Sequence, residues 1–155
     1  VLRKFVSFAA KISTLGIVVV LAGCLGVGVR LYPVSGPLAA QTPVPVYPAK
    51  LTLRSSIRSG EFKTMLANGE QFNGRWTMQT PGPANPSSGD DLSEDWDRVF
   101  GPGFYVAHVL GDRDCGTATI TGSAGTVLHL QLCGGNGQKA VGRDSHGNVY
   151  KITVS

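Results

Sequence analysis

The stretch from Cys115 to Cys133 constrains the fold more than any other part of the chain. Two alternating runs flank Gly122-Ser123-Ala124-Gly125, so the segment folds back as a β-hairpin centred on that turn. Folding it there sets Cys115 opposite Cys133, Ala118 opposite Leu130 and Ile120 opposite Leu128. Thr117 faces Gln131 and Thr119 faces His129 on the other side of the ribbon. One face is apolar and one polar, because successive strand residues point to opposite faces. The two cysteines fall on the polar face. Directly opposed residues have Cβ atoms about 4.5–5.5 Å apart, within reach of a disulfide. We therefore expect a Cys115–Cys133 bridge at the surface. A metal pair is not expected, since no further Cys or His cluster completes four ligands.

The rest of the chain after Ala49 carries the same punctuation of short strands and tight turns. Leu51, Leu53 and Ser55 alternate with Thr52 and Arg54 in a first strand. Glu61–Ala67 and Gln71–Gln79 flank Asn68-Gly69, a dipeptide suited to two positive φ angles in a two-residue hairpin. Phe72, Trp76 and Met78 share one face, with Gly74 marking a bend or bulge. Lys139–Asp144 and Val149–Val154 form a final pair around Ser145-His146-Gly147-Asn148, with Tyr150, Ile152 and Val154 turned inward. Asn68-Gly69-Glu70-Gln71-Phe72 and His146-Gly147-Asn148-Val149-Tyr150 align as similar hairpins, though five positions do not establish a repeat. Phe104–Leu110 reads as a buried strand. The stretch 81–89 is a Pro, Gly, Asn and Ser loop.

One helix interrupts this pattern. Leu92, Trp96, Val99 and Phe100 recur on one face, Asp90 or Asp91 caps the start, and Asp91 with Glu94 has capping-box spacing. Gly101-Pro102-Gly103 stops it. Asp90, Asp91, Glu94, Asp95 and Asp97 suit the positive end of the helix dipole and lack the alternation of a calcium loop. The expected architecture is all-β: a small antiparallel barrel or two-layer sandwich of seven to eight strands with one short helix. The barrel is preferred because hairpins in succession close readily and remove edges.

The amino-terminal part reads as an address. Arg3, Lys4 and Lys11 precede an apolar run from Ile12 to Ala22, which ends in Leu21-Ala22-Gly23-Cys24. The layout is that of a secretory signal, and the four-residue box resembles the lipobox of bacterial lipoprotein signal peptides. By that resemblance Cys24 is the lipidation site, alkylated with diacylglycerol, cleaved from Gly23 and N-acylated, so that residues 1–23 are removed. The competing reading is an uncleaved helix spanning a membrane from Ile12 to Val29. Leu25 after the anchor implies, again by resemblance, delivery to the outer membrane, facing the periplasm, rather than retention in the inner membrane. Residues 24–48, rich in Gly and Pro (Pro33, Pro37, Pro43, Pro45 and Pro48), read as an extended tether, with Pro43–Pro48 as an alternative proline-rich ligand. The domain is then expected over 49–155. Phe100–Phe104, Gly125–Leu128 and Gly147–Tyr150 together resemble uncharacterised small proteobacterial lipoproteins, a likeness that implies no activity.

Charge and site chemistry narrow the function. The formal charge of +4 owes much to Arg3, Lys4 and Lys11; eleven basic residues face ten acidic ones after Cys24, and ten face ten from Ala49 onward. Nucleic acid is therefore not expected as a partner. Gly122-Ser123-Ala124-Gly125 lacks a nucleophile elbow, and Gly134–Gly137 precedes a strand and not a helix, so neither supports catalysis or phosphate binding. No catalytic residue, metal or cofactor is expected beyond the lipid on Cys24. The favoured function is a membrane-tethered binding or structural module engaging an envelope protein or cell-wall component. The alternative is a small envelope enzyme in which His108 and His129 converge with Asp112, Asp114 or Asp144. An exposed Trp76 or Tyr105 would offer an aromatic platform for sugar, but strand alternation favours core packing for Trp76.

Overall fold

A computed structural model describes residues 25–53, 59–78, 91–112, 114–134 and 139–155. Cys24 and the signal segment, Ser55, Gln79, the 81–89 loop, Asp90, Arg113 and Gly135–Gly137 lie outside the described residues. Eight strands run in chain order: β1 (Leu25–Ser35), β2 (Tyr47–Leu53), β3 (Ser59–Met65), β4 (Gln71–Met78), β5 (Gly116–Thr121), β6 (Val127–Cys133), β7 (Lys139–Asp144) and β8 (Val149–Val154). Each pairs antiparallel with the next and β8 returns to β1, which closes the barrel. Two short helices, α1 (Ser93–Phe100) and α2 (Phe104–His108), occupy the β4–β5 connection.

The register expected for the Cys115–Cys133 hairpin holds. Thr117 pairs with Gln131, Ala118 with Leu130, Thr119 with His129 and Ile120 with Leu128. An eight-stranded barrel encloses a bore just wide enough for side chains. Here Leu31, Leu51, Phe62, Phe72, Trp76, Ile120, Leu130 and Tyr150 belong to one buried cluster. Such crowding works only if large residues face small ones. Gly60 is the direct cross-strand partner of Trp76 and Gly74 that of Phe62; Gly142 lies between Leu130 and Tyr150. A Cβ at Gly60 would collide with the Thr52 carbonyl and the Trp76 indole. Gly74 thus makes room for a neighbour, including Ile120 of β5, where a bend or bulge was one sequence expectation.

The tether is the largest correction. Residues 25–35 are β1, paired over Leu25–Leu31 with β2 and over Val29–Ser35 with β8. The domain therefore begins at least as early as Leu25, and a helical span reaching Val29 is excluded. Proline misled because it cannot donate to a ladder. Pro33 lies beyond the last β1–β2 pair, where the β1–β8 register also shifts. Pro48 lies just before the β2–β3 ladder starts at Ala49, and its carbonyl accepts a hydrogen bond from Thr64 Oγ1 at 2.9 Å. Both prolines sit where one side of the strand has no ladder partner to lose. The remaining prolines, 37, 43 and 45, lie in the β1–β2 connection.

Phe104–Leu110 is also corrected: it is helix α2 and a turn, not a buried strand. None of the residues 104–108 is buried; Val109 is, while Val106 and Leu110 are exposed. Gly103 at φ 78° turns the chain out of α1, and Asp97 secures that elbow by accepting hydrogen bonds from the Gly103 and Tyr105 amides at 3.0 and 2.8 Å. Helix α1 begins without the capping box. Asp91 Oδ1 accepts from the Ser93 amide at 2.9 Å, and Leu92, not an aspartate, holds the N-cap position.

Candidate functional site

Among the described residues, three places gather side chains that could do chemistry. The first is the end where the β3–β4, β5–β6 and β7–β8 turns meet the long β1–β2 connection. The three turns are built alike. Gly69, Gly125 and Gly147 adopt φ of 82°, 95° and 81°, and each donates its amide to the residue three before, Leu66, Gly122 and Asp144. The second bond of each turn pairs Leu66 with Glu70, Gly122 with Thr126 and Asp144 with Asn148. Asn68 has no positive φ, so these are not the two-residue hairpin expected at Asn68-Gly69 but a turn closed by one left-handed glycine. The limited likeness of the 68–72 and 146–150 segments thus extends to 124–128.

In each turn the residue after the glycine is polar and buried: Glu70, Thr126 and Asn148. Glu70 Oε1 accepts from the Ala124 and Thr126 amides at 3.2 and 3.0 Å, and Oε2 from the Thr126 hydroxyl at 2.8 Å. Burial pushes the Glu70 carboxyl up, but the hydrogen bonds from Thr126, Ala124 and Asn68 together outweigh it and hold the acid below its ordinary range. Asp144 accepts from the amides of His146 and Asn148, from the Asn148 side chain and from the Tyr150 hydroxyl. Tyr150 is driven far above its ordinary value, first by burial and then by its bond to Asp144. Asn148 in turn accepts from the Leu38 amide at 2.8 Å, which draws the β1–β2 connection across the mouth. A cavity of about 530 Å³ remains there, lined by Tyr47, Glu70, Asp144 and Asn148 among others. Its two carboxylates are engaged by neutral donors of the barrel itself, the arrangement of a structural plug and not of an acid and base awaiting substrate.

The second place is the mini-core outside the barrel. Leu92, Trp96, Val109, Cys115, Cys133 and Val141 are buried together beneath α1 and α2. Cys115 and Cys133 are bridged. They lie on the strand face that the sequence indicates, but that face is covered here, so the bridge is buried and not superficial. Trp96 reaches Gln131 Oε1 through its indole N–H at 2.8 Å, and its ring begins a stacked series with Phe100 and Phe104. Asp95, also buried, has Oδ2 3.1 Å from Arg143 Nη1, an ion pair without hydrogen-bond alignment. Burial raises the Asp95 pKa, and Arg143 opposes that shift. Asp112 approaches the two sulfurs within 4.8 Å, but both are consumed by the bridge.

The histidines do not converge. His108 lies exposed on α2, its ring tilted 40° against Phe104 with centroids 4.6 Å apart; His129 faces out of β6, with Nδ1 3.3 Å from Thr119 Oγ1; His146 is exposed in the β7–β8 turn. Among the described residues the one cluster of three or more His, Cys, Asp and Glu ligand atoms contains no histidine. The His108/His129/aspartate site is therefore not assembled. Trp76 is buried in the bore, its indole donating to the Thr52 carbonyl, and is no sugar platform.

The third place went unnoticed in the sequence. A cleft of about 620 Å³ crosses the first four strands, with Arg30, Lys50, Lys63, Met65, Gln71 and Asn73 among its lining residues. Register brings them together: Gly28 pairs with Lys50, Lys50 with Lys63, and Lys63 with Asn73. Lys63 Nζ meets Glu61 at 2.9 Å. Sequence spacing does not reveal it, because Arg30 falls in the Gly/Pro-rich stretch and the three cations are scattered over 34 positions.

The closed sequential arrangement of strands defines the molecule as an eight-stranded up-and-down antiparallel β-barrel with an exterior helical layer. In comparisons with known proteins, no family model, curated protein or solved structure matches the chain.

Proposed function

We propose that this chain is an envelope lipoprotein, anchored through Cys24, whose barrel is a binding module that works from its outer surface. The supporting observation is the contrast between a bore filled by large side chains and a cleft of about 620 Å³ on the first four strands. Lipocalin-like use of the interior would need space that Phe62, Phe72, Trp76 and Tyr150 occupy. The enzyme alternative gains nothing from the histidines, and Glu70 and Asp144 are already satisfied. Because β1 starts at Leu25, an acylated Cys24 would adjoin the barrel directly. The lipid would hold the first strands against the bilayer surface, with no long spacer between them. On this reading the protein faces the periplasm from the outer membrane and meets an envelope protein or a cell-wall component.

The test is mass spectrometry of the membrane-extracted protein beside Cys24→Ala, combined with a photo-crosslinking residue at the exposed Met65 position in the cleft. Acylated Cys24 and a discrete adduct from position 65 support the reading. An unmodified, uncleaved amino terminus overturns the anchor, and an adduct obtained equally from an exposed residue such as Val106 overturns the use of this cleft.

A further inference from the structure

We infer that the cleft across β1–β4 is a binding site for a phosphate ester, with Arg30 and Lys50 as its principal cations. The inference deepens the binding-module reading and rests on it for the site, though not for the anchor. Charge on this molecule is segregated by the fold. The first four strands carry Arg30, Lys50, Lys63 and Arg75 at outward positions, against Glu61 alone. Six of the ten carboxylates fall in the segment 91–114 that includes the helices, and Glu70 and Asp144 are buried at the turn end. The outward face of β1–β4 is therefore basic although the domain is nearly neutral.

Within that surface the cations are placed closely and are incompletely neutralised. Lys50 and Lys63 are direct cross-strand partners, a like-charge juxtaposition that disfavours the free sheet. Lys63 is paired with Glu61, whereas among the described residues no carboxylate is paired with Arg30 or Lys50. An anion seated between them would relieve that repulsion. Gly28, opposite Lys50, adds no side chain, and the Ser155 hydroxyl lies 2.7 Å from where its Cβ would be, so the wall beside Lys50 is polar and low. Asn73 and Gln71 add neutral amide donors. An Arg fork, lysine ammonium groups and amides are the donor set that recognises phosphate oxygens, and among the described residues no Asp or Glu side chain lines the cleft.

Two sources could supply the ester: a phospholipid headgroup or a soluble phosphorylated molecule. Lys50 lies level with Gly28, about 10 Å along the strand from Leu25, comparable to the screening length at physiological salt. A bilayer beside the start of β1 is therefore close enough for its phosphates to be felt.

The experiment measures lysine acetylation rates by mass spectrometry on the full-length protein, with Lys139 and Lys151 on β7 and β8 as internal references. One arm adds glycerol 3-phosphate to the protein in non-ionic detergent; the other compares nanodiscs of phosphatidylcholine with nanodiscs containing phosphatidylglycerol. Selective slowing at Lys50 and Lys63 by glycerol 3-phosphate supports a soluble ester. Slowing confined to phosphatidylglycerol discs supports a headgroup. The double variant Arg30→Glu/Lys50→Glu, with tryptophan emission checked for an intact fold, should weaken ester binding on the order of tenfold or more. Unchanged rates in both arms, equal slowing of all four lysines, or protection at Lys63 that survives the double variant each overturns the inference. The detergent arm needs no acylated Cys24, so loss of the anchor reading and loss of this one are separable.

Discussion

Glu70→Ala is the perturbation that asks most of the turn-end network. The carboxylate holds the buried Thr126 amide at 3.0 Å, the Thr126 hydroxyl at 2.8 Å and the Ala124 amide at 3.2 Å. Ala124 is exposed and its amide can turn to water; the two Thr126 donors are buried. Each buried group left unsatisfied costs about 1–3 kcal/mol, and the adjoining cavity admits some compensating water, so the expected loss is about 3 kcal/mol. Glu70→Gln keeps an acceptor for the amides and should lose only about 1 kcal/mol. Glu70→Ala/Thr126→Val removes the hydroxyl along with its acceptor and should be less destabilised than the separate losses sum to. The assay is urea unfolding of the full chain in non-ionic detergent, followed by Trp76 and Trp96 fluorescence. The pH dependence supplies a second reading. Glu70 titrates lower in the folded barrel than its ordinary 4.5, so its contribution is complete above that value and is lost as pH falls through the depressed folded one. Glu70→Gln should therefore show a flatter acid limb than the parent. A Glu70→Ala loss below about 0.5 kcal/mol, additive with Thr126→Val, would refute the plug.

Other positions test other parts of the architecture. Gly60→Ala places a methyl against the Thr52 carbonyl and the Trp76 ring and should cost about 3 kcal/mol, or prevent folding, with a shift in Trp76 emission. Reducing the Cys115–Cys133 bridge, which closes a loop across 18 positions, should lower unfolding stability by about 3 kcal/mol in the same denaturation assay. Arg143→Met removes the cation beside the buried Asp95 and should cost about 2–4 kcal/mol at neutral pH. Because Asp95 titrates above its ordinary value when folded, its charged form is the costly one, so this loss should shrink as pH falls through that raised value. Equal losses at neutral and acid pH would exclude Asp95 as the cause.

Much of the barrel is legible in the chain because strand alternation is local. Ala118, Ile120, Leu128 and Leu130 announce both the inward face and the register of β5 and β6, and Phe72 and Trp76 announce the inward face of β4. The misreadings share a different cause. Pro33 and Pro48 disqualify a central strand only if both ladder sides are occupied there, and ladder ends are set by neighbours far along the chain. Phe104–Leu110 is apolar throughout, so its periodicity does not separate a strand from a helix. The Asp97 elbow and the packing over Trp96 select α2.

The sequence by itself determined the all-β class, the hairpin pairings and the pairing of Cys115 with Cys133, since each follows from side-chain alternation and turn chemistry over a few neighbouring residues. Only the tertiary structure decided that residues 25–35 form β1, that the helices cover the cysteine bridge, and that Glu70, Thr126 and Asn148 occupy equivalent places in three turns. It alone also brought Arg30, Lys50 and Lys63 onto one surface while gathering acids elsewhere. Closure is the physical reason: joining β8 to β1 fixes which strands are neighbours and how their ladders end, and thereby sets burial and charge patterns that local sequence spacing does not contain.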